Sequence, residues 1–222
     1  MGSRKRLKKR QLKEDQLITT TVRLSQFIQD HFTQVISGVI ILVAAIGVIL
    51  FTANVRRNAA AEAEAEFAVA MNAYKYTDRS AAAASFRGVT DRYGNHKVGI
   101  LALYFLGECY LSQFLYDEAI IAFERYVEKS EAGGEFVVAA RVGRALCYDG
   151  LENYIEASRT LEALAQDMNK EDPRYIDVCF EAGRLFELSG NRKAAEDYYE
   201  IVADRGAGPV RERSKIWLAI LR

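Results

Sequence analysis

Proline is nearly absent from this chain, with Pro173 and Pro209 its sole occurrences in 222 residues. Proline is what most often breaks or kinks a helix, so its scarcity, beside plentiful Ala, Leu, Glu and Arg and little strand-like alternation, points to an all-α protein. Histidine is equally scarce. His31 and His96 have no His or Cys partner at ligand spacing, so neither a metal site nor a histidine base is expected. There is no glycine-rich phosphate loop, since Arg205-Gly-Ala-Gly-Pro209 reads as an interhelical turn. No serine stands in a nucleophile-elbow pattern. Glu62, Glu64 and Glu66 alternate at two residues, which spreads them around a helix as a solvated face. These absences predict a protein that is not an enzyme, with no cofactor and no small-molecule substrate. The cysteines, Cys109, Cys147 and Cys179, are odd in number. Cys109 and Cys147 hold equivalent places in neighbouring repeats, where helices pack about 8–10 Å apart, whereas a disulfide needs Cα atoms within roughly 7 Å. Three separate thiols acting as small core residues are expected.

Charge is balanced overall, 30 basic against 30 acidic residues, but it is not evenly spread. Residues 1–34 carry Arg4, Lys5, Arg6, Lys8, Lys9, Arg10, Lys13 and Arg23 against Glu14, Asp15 and Asp30, a net +5, and residues 54–222 are net −5. Between them, Val35 to Ala53 reads VISGVIILVAAIGVILFTA, without a charge or a proline. Roughly 20 helical residues cross the apolar core of a bilayer, and a buried soluble helix has no need to be apolar on every side. A cleaved signal peptide is the rival reading. Its apolar stretch is shorter, about 7–15 residues, and follows a brief basic start, whereas here a long segment precedes the run and Asn54-Val55-Arg56-Arg57 follows it. The expected layout is therefore a basic cytoplasmic tail at 1–15, an amphipathic juxtamembrane segment at 16–34 (Leu17, Leu24, Phe27, Ile28, Phe32), a transmembrane helix at 35–54 and a domain at 55–222. Lys/Arg-rich flanks stay cytoplasmic, which puts the N-terminus inside and the domain outside. The tail is read as a topology signal attracted to anionic membrane lipid, not as a nucleic-acid reader, because no reader module accompanies it. Neither Gly nor Pro occurs between Gly47 and Gly88, so the membrane helix is expected to run on to Tyr76, a rod of about 60 Å at 1.5 Å per residue.

The domain is internally repetitive. Ala82/Phe86, Ala119/Phe123, Ala157/Leu161 and Ala195/Tyr199 recur at 37, 38 and 38 residues; Ala70, Gly107, Ala145 and Gly183 keep the same period, each followed three residues on by Ala73, Tyr110, Tyr148 or Phe186. Turn signals fall between the two sets. Small residues let two helices approach closely, and the aromatic fills the gap beside the next hairpin. The pattern predicts hairpins 59–76 with 79–93, 98–112 with 116–129, 135–149 with 154–168 and 174–188 with 191–204, capped by a helix at 209–222.

Leu103-Tyr-Phe-Leu-Gly-Glu-Cys-Tyr110 followed by Tyr116-Asp-Glu-Ala-Ile-Ile-Ala-Phe123 resembles a tetratricopeptide repeat, as does Glu181-Ala-Gly-Arg-Leu-Phe186 with Gly190-Asn-Arg-Lys-Ala-Ala-Glu-Asp-Tyr-Tyr199. The period is longer than the family's usual 34, and no repeat ends in the usual proline. The fold class implied is a single N-terminal transmembrane helix followed by a tetratricopeptide-like helical-hairpin superhelix. The full layout is similar to the bacterial YfgM-like ancillary subunits of the Sec translocon. That resemblance implies an inner-membrane protein with a periplasmic domain that assists exported clients beside the translocon, with a membrane-bound chaperone such as PpiD as partner. Two other readings stay open: a structural scaffold for outer-membrane or cell-wall assembly, and an import receptor on an organelle surface.

In a right-handed stack of such hairpins the first helices line the concave side. The register of Gly107, Ala145 and Gly183 places Tyr104, Glu108, Leu111, Val142, Asp149, Phe180, Arg184 and Glu187 there as exposed protein-binding positions, with Phe67 and Met71 added by the first unit. Leu111, Val142 and Phe180 could instead be core. Tyr104 and Arg184 discriminate better, because Tyr keeps a polar tip and Arg is rarely buried unpaired.

Overall fold

The computed structural model describes residues 32–76, 78–130 and 134–221. The basic tail and all but the end of the 16–34 segment lie outside the described residues. Nine helices follow one another among those described: α1 (Phe32–Tyr76), α2 (Arg79–Tyr93), α3 (Lys97–Ser112), α4 (Tyr116–Lys129), α5 (Val137–Gly150), α6 (Tyr154–Asp167), α7 (Tyr175–Leu188), α8 (Arg192–Arg205) and α9 (Gly208–Leu221). The chain divides into two compact units, residues 1–58 and 59–222.

In the first unit, α1 has the length and composition to cross a membrane, with a mean hydropathy of 2.7 over its most apolar stretch. Ile40, Ile41, Leu42, Val43, Val48, Ile49, Leu50 and Phe51 are all exposed. No protein surface covers them among the described residues.

The second unit repeats one local design. The chain leaves α3, α5 and α7 through a left-handed residue, Phe114 (φ 61°), Glu152 (φ 57°) and Gly190 (φ 79°), spaced 38 residues apart. The next amide then reaches back to the repeat aromatic's carbonyl: Leu115 N to Tyr110 O at 3.0 Å, Asn153 N to Tyr148 O at 2.9 Å, Asn191 N to Phe186 O at 2.9 Å. These bonds satisfy carbonyls that a helix C-terminus leaves without partners. Asn153 and Asn191 then cap the following helices by accepting from Glu156 N and Ala194 N, each at 3.3 Å. The second helices also end alike, with Ser130, Met168 and Gly206 donating to Tyr126, Leu164 and Val202.

The core forms where the hairpins stack. Phe123 is fully buried, wedged between Gly107 of α3 and Gly143 of α5. A Cβ added at either glycine would stand 2.6 Å or 2.7 Å from its ring. Tyr199 does the same against Gly183, at 3.0 Å, and is stacked by Trp217 of α9. The third unit breaks the series, because its wedge position holds Leu161. Helix α9 closes the stack by burying Ser214, Leu218 and Leu221, and Cys109, Cys147 and Cys179 are free thiols, each buried within the core. Helix α5 starts at Val137, two residues later than the sequence pattern implies. There the Phe136 amide donates to the Tyr126 hydroxyl at 3.3 Å instead of entering the helix.

Candidate functional site: the face of the first helices

Helices α1, α3, α5 and α7 are the first members of their hairpins, and the sequence-derived positions fall on them in three rows. The row three residues before the small position holds Phe67, Tyr104, Val142 and Phe180. Phe67 is half-buried against Phe86 and Phe105, with ring centroids 5.6 Å and 5.8 Å away. Tyr104 is half-buried and stacked on Phe136 at 4.6 Å, with Phe105, Phe123 and Tyr126 also in ring contact. Burial, with Glu108 nearby, pushes its phenol up to about 12. Val142 is half-buried and packs against the second half of the core. Phe180 departs from the expectation of exposure. It is 4% exposed, lies against Tyr199 at 5.8 Å, and is roofed by the Arg213 guanidinium at 4.5 Å. The cap helix makes it a core residue.

The row one residue past the small position holds Met71, Glu108, Leu146 and Arg184. Met71 is half-buried in the first part of the core. Burial raises the Glu108 carboxyl above the usual range, opposed by the Arg79 charge. Arg184 donates from Nη2 to Asp149 at 2.7 Å and from Nε to Glu181 at 2.8 Å. Burial works against its charge, but these two carboxylates more than offset that, and its pKa is raised. Leu146 stands 38 residues from both Glu108 and Arg184 and is 43% exposed. It was absent from the residues picked out by sequence, although the same period specifies it. In the last row, four past the small position, Leu111 is half-buried, Asp149 holds Arg184, and Glu187 accepts from the Tyr199 hydroxyl at 3.1 Å.

The face therefore spends many of its polar groups inside the fold. Tyr104 and Arg184, the two that sequence favoured as contact residues, are braced by neighbours. One open feature lies between α5 and α7. A cavity of about 270 Å³ is lined by Val138, Ala139 and Val142 from α5, Leu161 from α6 and Val178 from α7, with Arg174, Asp177 and Glu181 at its rim. Its origin is the missing aromatic wedge: Leu161 is shorter than Phe123 or Tyr199, and the helices above it do not close the difference. Among the described residues no group of three or more His, Cys, Asp or Glu side chains could hold a metal ion.

Comparison with known proteins bears on the fold. No protein-family model matches this sequence, and no curated protein matches it. Among solved structures, the crystal structure of the nearly identical TPR-like repeats of a kinesin light chain from Podosopora anserina is similar to it. The TM-score is 0.57 at 18% identity, covering 73% of this chain and 86% of that one. A single-substitution variant of the same repeats gives a TM-score of 0.57 at 18% identity, covering 73% and 85%. The fold is thus an array of tetratricopeptide-like helical hairpins. A fold of this kind does not by itself name a partner.

Proposed function

We propose that this chain is a non-enzymatic, membrane-anchored repeat scaffold that holds protein partners beside the Sec translocon of a bacterial inner membrane. Its N-terminus is cytoplasmic and its repeats are periplasmic. The observation that carries the reading is the exposed apolar stretch of α1, long and apolar enough to cross a membrane, with Ile40, Ile41, Leu42, Val43, Ile49, Leu50 and Phe51 all uncovered. A helix of this kind favours a tethered repeat unit over a freely diffusing one. The net +5 of residues 1–34 favours the stated orientation. The partners are translocon subunits, a membrane-bound chaperone of the PpiD type and exported clients, with membrane lipid around the anchor.

The test is affinity purification of the full chain from membranes in mild detergent, beside Leu146→Glu, which places a charge on the first-helix face without removing a core contact. The expected result is co-purification of translocon subunits, weakened by about tenfold in the variant at equal yield and equal melting temperature. Recovery of outer-membrane or cell-wall assembly proteins instead would favour the envelope-scaffold reading and overturn this one.

A further inference from the structure

The cavity between α5 and α7 has a chemistry of its own. Its walls are aliphatic and its volume is about 270 Å³. Apolar cavities of about 150 Å³ already admit a benzene ring, so this one has room for an aromatic or a pair of branched aliphatic side chains. Its mouth is acidic. Arg174 is engaged by Asp172 at 2.7 Å and 2.9 Å, and Arg184 is shared between Asp149 and Glu181. Asp177 is exposed on the rim, with no ion pair or hydrogen bond among the described residues. Of the charged side chains that line the cavity, Arg174 is thus taken by Asp172, Glu181 shares Arg184, and Asp177 alone is left without a counter-charge among the described residues.

We infer that this cavity is a docking pocket for a cationic amphipathic polypeptide segment, in which a large apolar side chain enters over Leu161 and a neighbouring Lys or Arg pairs with Asp177. The inference rests on the reading of the chain as a protein-binding scaffold and names the chemistry of what it holds. The repeat design generates the pocket: where Phe123 and Tyr199 fill the space between first helices, Leu161 leaves it open to a side chain supplied by the partner. Apolar burial supplies the affinity, and the uncompensated Asp177 carboxylate selects the sign of the flanking charge.

The test uses the full chain in lipid nanodiscs and three fluorescein-labelled peptides followed by anisotropy: a Leu/Phe core flanked by lysines, the same core flanked by glutamates, and a serine core flanked by lysines. The lysine-flanked apolar peptide is expected to bind about tenfold more tightly than either of the others. Leu161→Phe, which restores the aromatic of the other repeats, should abolish that advantage while leaving the melting temperature unchanged or higher. Asp177→Lys, a change on an exposed side chain, should bring the lysine- and glutamate-flanked peptides to within about threefold of each other. Equal binding of the serine-core peptide, or full binding by Leu161→Phe, would overturn the inference. The peptide assay contains no translocon. Loss of the peptide preference with translocon co-purification intact sinks the pocket alone, whereas the preference without co-purification sinks the proposed function alone.

Discussion

Phe123 offers the strictest test of how this array is held together, through a double-mutant cycle with Gly107. The ring is fully buried and touches two first helices at once, so Phe123→Ala removes a whole wedge and leaves a cavity between α3 and α5. Substitutions of this kind cost about 3–5 kcal/mol. Gly107→Ala alone sets two effects against each other. Helix propensity favours alanine by about 1 kcal/mol, but the new Cβ would lie 2.6 Å from a ring carbon, and overpacking typically costs about 1–3 kcal/mol. The clash is against a ring pinned from both sides, so it should win, and the single variant is expected to lose up to about 2 kcal/mol. In the Phe123→Ala background the obstacle is gone, and Gly107→Ala should become stabilising by up to about 1 kcal/mol. The expected coupling is therefore about 1–3 kcal/mol, with a reversal of sign. Urea titration of all four proteins, the full chain in detergent micelles followed by far-ultraviolet circular dichroism, measures it. Additive effects, or a stabilising Gly107→Ala in the wild-type background, would refute the wedge.

The turns make a reciprocal prediction: Phe114→Gly should raise stability by about 0.5–1 kcal/mol, because it relieves a left-handed residue that is 74% exposed. Gly190→Ala, whose Cβ would meet nothing within 4 Å, should lower it by about 1–2 kcal/mol through backbone strain alone. Both are read as shifts of the urea midpoint. Burial pushes the Cys109 thiol up to about 11 and the Cys147 thiol to about 12, and raises Cys179. An aromatic disulfide reagent at pH 8 should therefore find no reactive thiol in the folded protein and three after denaturation; any disulfide found in the native protein would contradict this. The raised Glu108 carboxyl means that the folded state keeps a proton the unfolded chain has already released. Its contribution to stability is fully present below the ordinary glutamate value of about 4.3 and is lost as pH rises through the folded value. Glu108→Gln should match wild type near pH 4 and melt higher at pH 7; a variant that melts lower at pH 7 would show the charge to be stabilising.

Much of this fold is legible in the residues because one period carries it. Gly107, Ala145 and Gly183 mark close approach, and Phe123 and Tyr199 mark what fills it. Even the left-handed turn residues fall 38 apart, although only Gly190 announces the backbone it adopts. The face of the first helices was legible as a register but not as a set of exposed side chains. Phe180 is buried by Arg213 of α9, and α9 starts 33 residues after α7, outside the repeat period. Tyr104 is covered by Phe136, which belongs to the irregular entry into α5. Leu146 could have been named from the period alone. The cavity was half-visible: the pair Ala157/Leu161 shows that the third wedge is small, but whether α5 and α7 would collapse onto it or stand apart depends on packing that no spacing records.

The proposed scaffold role requires the repeats to lie on the outer side of a membrane. Protease added to intact spheroplasts carrying the chain with an N-terminal epitope measures this directly. Digestion of the segment beyond Arg57 is expected, with loss of the repeats and a short membrane-protected fragment that keeps the epitope. Full-length protein surviving protease until the membrane is opened by detergent would place the repeats inside and contradict a scaffold that serves exported proteins.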